Sequence, residues 1–190
     1  MSHIVLGVAG GIAAYKSCEL LRRLTEAGHS VRVVPTKAAL QFVGAPTWAA
    51  LSGQPVTADL MADVHEVPHV RIGQQADLVV VAGDVFDHAV PSAESLEVLE
   101  DVLADLLRVA PVVVTAGNHD SLRRLGYGSR LFADRLFVRT RVEDVGAAIV
   151  FGHVRVYPIP YLHPDTARYV LAPDDQPLPA THRAVLGEAM

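Results

Sequence analysis

The sequence predicts an α/β fold, a Rossmann-like parallel sheet with flanking helices and a less regular, antiparallel C-terminal extension. Two observations predict it. Short apolar runs recur at Ile4–Val8, Asp77–Ala82 and Pro111–Thr115, and strands apolar on both faces belong to parallel sheets covered on two sides. Between them lie segments of helical periodicity, and alternation of strand and helix builds parallel sheets.

The elements run in order along the chain. Ile4–Val8 is a strand closed by Gly10-Gly11. Ala13–Ala27 is a helix with Leu20, Leu21 and Leu24 on one face, stopped by Gly28. Ser30–Pro35 is a second strand, and Lys37–Val43 and Pro46–Leu51 are helical pieces, the latter ended by Gly53. Asp77–Ala82 is a central strand. Ser92 caps a helix over Ala93–Val109, in which Leu96, Leu99, Leu103 and Leu106 form a stripe expected to be buried. Pro111–Thr115 is a further buried strand. Beyond Asp120 regularity weakens: Leu136–Arg141, Ala148–Phe151 and Val154–Pro158 read as shorter strands. The tail has a Pro-rich loop and a helix start without a C-cap, which reads as a truncated end.

Composition narrows the class. The chain has 190 residues, 51% hydrophobic and 19% charged, enough for a core and unlike a disordered segment. No apolar run is long enough to span a membrane, and MSHIVLGVAGG lacks the basic start of a signal peptide. The single cysteine, Cys18, excludes an internal disulfide framework and points to a reducing, cytoplasmic location; it reads as a small buried residue. A net charge of −5 argues against a general nucleic-acid coat. Arg123, Arg124, Arg130, Arg135, Arg139 and Arg141 cluster nonetheless, as a solvated surface or, in the sharper reading, a phosphate-facing patch.

In parallel sheets ligands gather beyond the carboxyl ends of the strands, which places three candidate sites there: the Gly10-Gly11 turn, Asp84 and Asn118-His119. A strand, a Gly-Gly turn and a helix suit an anion, because glycine lets the backbone approach and the helix N-terminus offers free N–H groups. GVAGG alone is weak evidence, since tight turns need glycine for packing. The longer string from VLGVAGGIAAYKSCELLRRLTEAGHSVRVVPTK to PHVRIGQQADLVVVA, residues 3 to 82, resembles the flavoprotein half of the phosphopantothenoylcysteine decarboxylases of coenzyme A biosynthesis. The resemblance implies FMN, with Gly10, Gly11 and Ile12 in the flavin-phosphate turn, Thr36 and Lys37 beside it, and His69 as the active-site histidine. It implies a homo-oligomer built on trimers. After ADLVVVA the family continues with a Pro-Ala-Thr-Ala-Asn loop that holds the flavin, whereas this chain continues GDVFDHAVPS.

A second chemistry begins there. Hard divalent cations prefer carboxylate, amide oxygen and imidazole. GDVFD at 83–87 and GNHD at 117–120, separated by a helix, resemble the calcineurin-like metallophosphoesterases, and the flanks through VYPIPYLHPD resemble the SbcD subunit of the SbcCD exonuclease. The resemblance covers residues 77–190. It implies Mn²⁺ or Mg²⁺ bound by Asp84 and Asn118, with His119 facing the scissile phosphate and Asp120 orienting His119. It implies DNA and an SbcC-type partner only if the nuclease reading holds. The family's first strand ends in Asp-x-His and its later loops supply further histidines. Here the first strand carries GVAGG, and Gly152-His153 in FGHVRV has the wrong pattern, so His153 is not counted as a ligand.

ADLVVVA fits both families. The chain therefore reads as a chimera, with a flavoprotein-like segment over 1–82, a phosphoesterase-like segment over 83–190 and a seam at 76–83. Both active sites are short of parts, so full activity of either parent is not expected; the alternative is a metal-dependent phosphodiesterase.

Overall fold

The computed structural model describes residues 1–10, 14–56, 76–131, 134–173 and 176–190. Its centre is a five-stranded, all-parallel sheet in the order β2-β1-β3-β4-β5. The strands are β1 (His3–Val8), β2 (Ser30–Pro35), β3 (Leu78–Ala82), β4 (Val112–Thr115) and β5 (Leu136–Arg139). Helix α1 (Ala14–Glu26) links β1 to β2, and α2 (Lys37–Phe42) and α3 (Ala45–Ser52) come after β2. Helix α4 (Ala93–Val109) carries β3 to β4, and a single turn, α5 (Leu122–Leu125), lies between β4 and β5. The chain runs outward from β1 to β2 and in the other direction from β3 to β4, so the order reverses between β1 and β3.

β3 sits at the middle of the sheet, and its alternation fills both layers. Leu78 and Val80 join Leu6, Val33, Val113 and Trp48 on one side; Val79 joins Val112, Val114 and Val138 on the other. Val80 pairs with Leu6 of β1 and with Val113 of β4. One sheet therefore spans both sides of residues 76–83. Each fully buried Val or Leu contributes about 1.5–3 kcal/mol, so these strands dominate the core.

Local chemistry fixes the ends. Gly28 and Gly53 close α1 and α3 at φ +83° and +66°, conformations that cost a side chain. Ser92 caps α4 by accepting from Ser95 N at 3.1 Å. On the outer face of α1, Glu19 accepts from Arg22 and Arg23, and Arg22 also reaches Glu26. The hydrogen bonds from Arg22, then Arg23, hold the Glu19 carboxyl down at about 2. A depressed carboxyl contributes stability above its unfolded value and loses it as pH falls through the folded one. Glu19→Gln is accordingly expected to melt slightly lower than the parent near neutral pH, with the gap closing in acid towards pH about 2; a gap that persists there contradicts the assignment. The group is fully exposed, so the effect is small and screened by salt.

Two expectations are corrected. The Leu96–Leu99–Leu103–Leu106 stripe of α4 is buried only in part: Leu99, Leu103 and Leu106 are partly buried, Leu103 and Leu106 against the Val79–Val112–Val138 layer, while Leu96 is 50% exposed. The apolar arc also includes Val98, Val102 and Val109, all exposed, so it is wider than the strip of sheet beneath it. Second, β5 is no part of an antiparallel extension. It pairs parallel to β4, Val112 opposite Leu136. Among the described residues only β6 (Ile149–Phe151) and β7 (Val154–Val156) run antiparallel, as a separate hairpin turning at Gly152 with φ +58°. Helices α6 (Pro164–Val170) and α7 (His182–Ala189) form a small third cluster around Leu162, Ala167 and Val185. Cys18 is half-buried against the main core, and burial pushes its thiol up.

Candidate functional site

All the described candidate residues lie beyond the carboxyl ends of the parallel strands, in two groups. Gly11, Ile12 and His69 lie outside the described residues. A cavity of about 450 Å³ opens at the opposite, amino ends of β1, β3 and β4, lined by residues that include Ser2, Asp77, Pro111 and His153, and contains none of the candidates.

The first group lies after β1 and β2. Thr36 N donates to Val8 O at 2.9 Å, which draws the start of α2 against the turn after β1. Thr36 caps α2, its hydroxyl accepting from Ala39 N at 3.1 Å. A Cβ at Gly10 would overlap the Ala38 methyl, so glycine there has a packing reason. Gly10, Thr36 and Lys37 are thus brought together. The cap uses the Thr36 hydroxyl only as an acceptor, so its O–H and the exposed Lys37 ammonium are both left to donate to an incoming phosphate.

The second group lies after β3 and β4, whose register sets Ala82 beside Thr115 and so places the GDVFD and GNHD loops side by side. Gly83 and Asp84 both adopt left-handed backbone, φ +75° and +46°. For Asp84 this is a strained conformation, tolerated better by Asp than by most residues. Gly117 packs directly on Asp84: a Cβ there would overlap the Asp84 carboxylate and backbone nitrogen. Asp84 is 8% exposed. Its Oδ1 accepts from His119 N at 3.0 Å, while its buried Oδ2 has no hydrogen-bond partner. A buried, unpartnered carboxylate oxygen is costly unless something positive meets it. This is the observation that fits a cation to the loop, and Asn118, exposed on the adjacent loop, adds an amide oxygen of the right hardness. Among the described residues no three His, Cys, Asp or Glu side chains converge on one point. The cation would thus be held by Asp84 and Asn118 with few other protein ligands.

His119 is exposed, and its Nδ1 lies 3.0 Å from the Asp87 carbonyl oxygen. A carbonyl only accepts, so Nδ1 donates to it and Nε2 is the ring nitrogen left free of this contact. The expected orienting group, Asp120, is elsewhere engaged. Its Oδ2 accepts from Gly117 N at 2.8 Å and Val85 N at 3.1 Å, and its Oδ1 from Phe86 N at 2.9 Å. Sequence reasoning missed the Asp87 carbonyl and these amides, because backbone groups leave no residue-type signature.

Asp84→Asn is expected to raise the melting temperature of the metal-free chain by about 2–4 °C. The substitution removes an unpaired buried charge worth roughly 1 kcal/mol or more and keeps Oδ1 for His119 N. Scanning calorimetry in EDTA checks it, and a lowered melting temperature would contradict the orphaned-oxygen reading.

Comparison with known proteins matches both groups. Residues 1–83 match the flavoprotein family model and residues 55–165 the calcineurin-like phosphoesterase model, so the two overlap through β3. The coenzyme A biosynthesis bifunctional protein CoaBC of Mycolicibacterium smegmatis is 73% identical over 80 residues, 42% of this chain and 19% of the relative. CoaBC of Mycobacterium tuberculosis is 50% identical over 122 residues, 63% of this chain and 29% of the relative. The SbcD subunit of the nuclease SbcCD of Staphylococcus saprophyticus is 31% identical over 121 residues, 62% of this chain and 31% of the relative. The chain thus spans less than a third of the length of these relatives. Among solved structures, MrsD from a Bacillus species superposes with a TM-score of 0.53 at 18% identity, covering 73% of this chain and 82% of that one, a likeness of fold. Among the described residues no helix is long and apolar enough to cross a membrane. The chain belongs to the calcineurin-like phosphoesterase family through residues 55–165, more than half its length, and its residues 1–83 are similar to the flavoprotein family.

Proposed function

We propose that the chain is a composite of two enzyme fragments: a segment of an FMN-dependent decarboxylase over 1–82 and a segment of an SbcD-type, metal-dependent phosphoesterase over 83–190, joined at 76–83 and carrying the full reaction of neither. The observation that supports this most is the loop after β3. The strand leads into Gly83–Asp87, at the position where the flavoprotein resemblance puts its flavin-holding loop, and one strand end holds only one of them. On this reading FMN binds weakly, through the Gly10–Ile12 turn with Thr36 and Lys37, and His69 lacks the loop that would set the flavin against it. A homo-oligomer, implied by the decarboxylase resemblance, goes with the first segment; an SbcC-type partner and DNA go with the second.

The metal-dependent phosphodiesterase is the second reading, favoured by the unpartnered Asp84 Oδ2. Asp84 and Asn118 would hold Mn²⁺ or Mg²⁺, and His119 would turn its free Nε2 towards a phosphate. A bound divalent cation supplies polarisation of a phosphoryl oxygen and a more acidic water.

Three measurements on the purified chain test the proposal. Visible absorbance after FMN addition and dialysis is expected to show little retained flavin. Mn²⁺ is expected to raise the melting temperature in the parent and not in Asp84→Ala. Decarboxylation and phosphodiester hydrolysis are expected to stay at background. A stoichiometric yellow protein that releases CO₂, or Mn²⁺-dependent turnover of a phosphodiester lost in Asp84→Ala, would overturn the composite reading in favour of one parent.

A further inference from the structure

We infer that Asp120 is the positioning residue of the Gly83–Asp87 loop: its carboxylate fastens that loop to the GNHD loop and so sets Asp84 in place before any cation arrives. The inference rests on the metal reading only for what Asp84 is set in place to do; the fastening itself does not depend on it.

The geometry is specific. Asp120 is 8% exposed, so its carboxylate relies on protein donors. It finds them on both loops. Gly117 N, at 2.8 Å, ties the carboxylate to its own loop, and Val85 N and Phe86 N, at 3.1 and 2.9 Å, tie it to the other. Val85 and Phe86 come immediately after Asp84, so these two bonds fix the chain direction just where Asp84 leaves the left-handed conformation at φ +46°. The bond from His119 N to Asp84 Oδ1 then sets the carboxylate itself, and Gly117 leaves room for it. An acid is required at 120 rather than an amide. Both oxygens accept, and in asparagine one of them becomes an NH₂ facing an N–H, donor against donor, whichever way the amide is turned. The arrangement also separates two roles that the sequence pattern runs together: Asp120 holds backbone, and the Asp87 carbonyl holds the His119 ring.

The test is amide hydrogen exchange by NMR on the full chain in EDTA, which needs neither metal nor activity. In the parent, the Val85, Phe86 and Gly117 amides are expected to be protected although they lie in loops. In Asp120→Asn they are expected to exchange about ten- to hundredfold faster, the loss of a charge-assisted bond, while Val5 and Val34 in β1 and β2 keep their rates. Unprotected loop amides in the parent overturn the inference without recourse to a variant. Unchanged loop exchange in Asp120→Asn, or acceleration spread evenly over the sheet, overturns it as well, the latter marking Asp120 as a general stability residue. A Mn²⁺ titration on the same samples, tracked by paramagnetic broadening of the Asp84 amide, separates the two ideas. Selective broadening in the parent that needs about tenfold more Mn²⁺ in Asp120→Asn supports the positioning role. No selective broadening in the parent overturns the metal reading and leaves the exchange result to decide the fastening.

Discussion

Gly117→Val is expected to lower the melting temperature by roughly 6–12 °C, about 3 kcal/mol or more at 2–4 °C per kcal/mol for a chain of this size. The cause is crowding between backbones rather than lost helix or strand propensity. The first side-chain carbon at 117 would overlap the carboxylate and backbone nitrogen of Asp84, and Gly83 faces Gly117 with 3.2 Å between its would-be Cβ and Gly117 Cα. Neither loop can retreat cheaply. The Gly117 amide is held by Asp120, which also holds Val85 and Phe86. Pushing the loops apart would break those bonds and leave a buried carboxylate short of donors, a further cost of about 1–3 kcal/mol per group. Even Gly117→Ala meets the same obstacle. Thermal melting of both variants checks this; a loss under about 1 kcal/mol for the valine variant would mean that the loops are not packed as described.

Trp48→Ala is the other large effect, about 3–5 kcal/mol. Trp48 in α3 is 0% exposed, in the same cluster as Leu21 of α1 and Val31 and Val33 of β2. Its indole Nε1 donates to Val43 O at 3.0 Å, closing the bend between α2 and α3. Truncation would therefore open a cavity and leave a buried carbonyl unpaired. The consequence for function is local, because Thr36 and Lys37 stand at the start of α2. Trp48→Phe should recover most of the packing and none of the hydrogen bond, and the difference between the two variants on denaturation measures the share of each.

Much of the fold was legible because its signals are local. Gly28 and Gly53 mark helix ends where the backbone turns left-handed, Ser92 caps α4 through its own hydroxyl, and the apolar runs of β1, β3 and β4 announce strands covered on two faces. The misreadings concern properties that local pattern does not contain. Periodicity identified the apolar face of α4, but whether anything covers Leu96 depends on how far the sheet extends beneath it. The direction of β5 is set by the connection from Thr115 to Leu136, which crosses the sheet through α5, and no residue in β5 records it. At the site, the GDVFD and GNHD loops lie side by side, joined by the bonds from His119 N to Asp84 and from Val85 N to Asp120. The division of labour was not legible, because the partners of Asp120 are amides and the partner of His119 is a carbonyl. The glycine at 10 shows the converse: its type suggested an anion, and its neighbour Ala38 supplies a packing reason.

Centrally, β3, which lies within both the flavoprotein match over 1–83 and the phosphoesterase match over 55–165, is held between β1 and β4 in one continuous sheet. Nuclear Overhauser contacts of Val80 test this most directly, since Val80 is registered against Leu6 on one side and Val113 on the other. Strong cross-strand contacts from the Val80 region to both neighbours are predicted in the same sample. Contacts to β4 alone, with none to β1, would contradict it, leaving the two halves as separately folded pieces rather than one sheet.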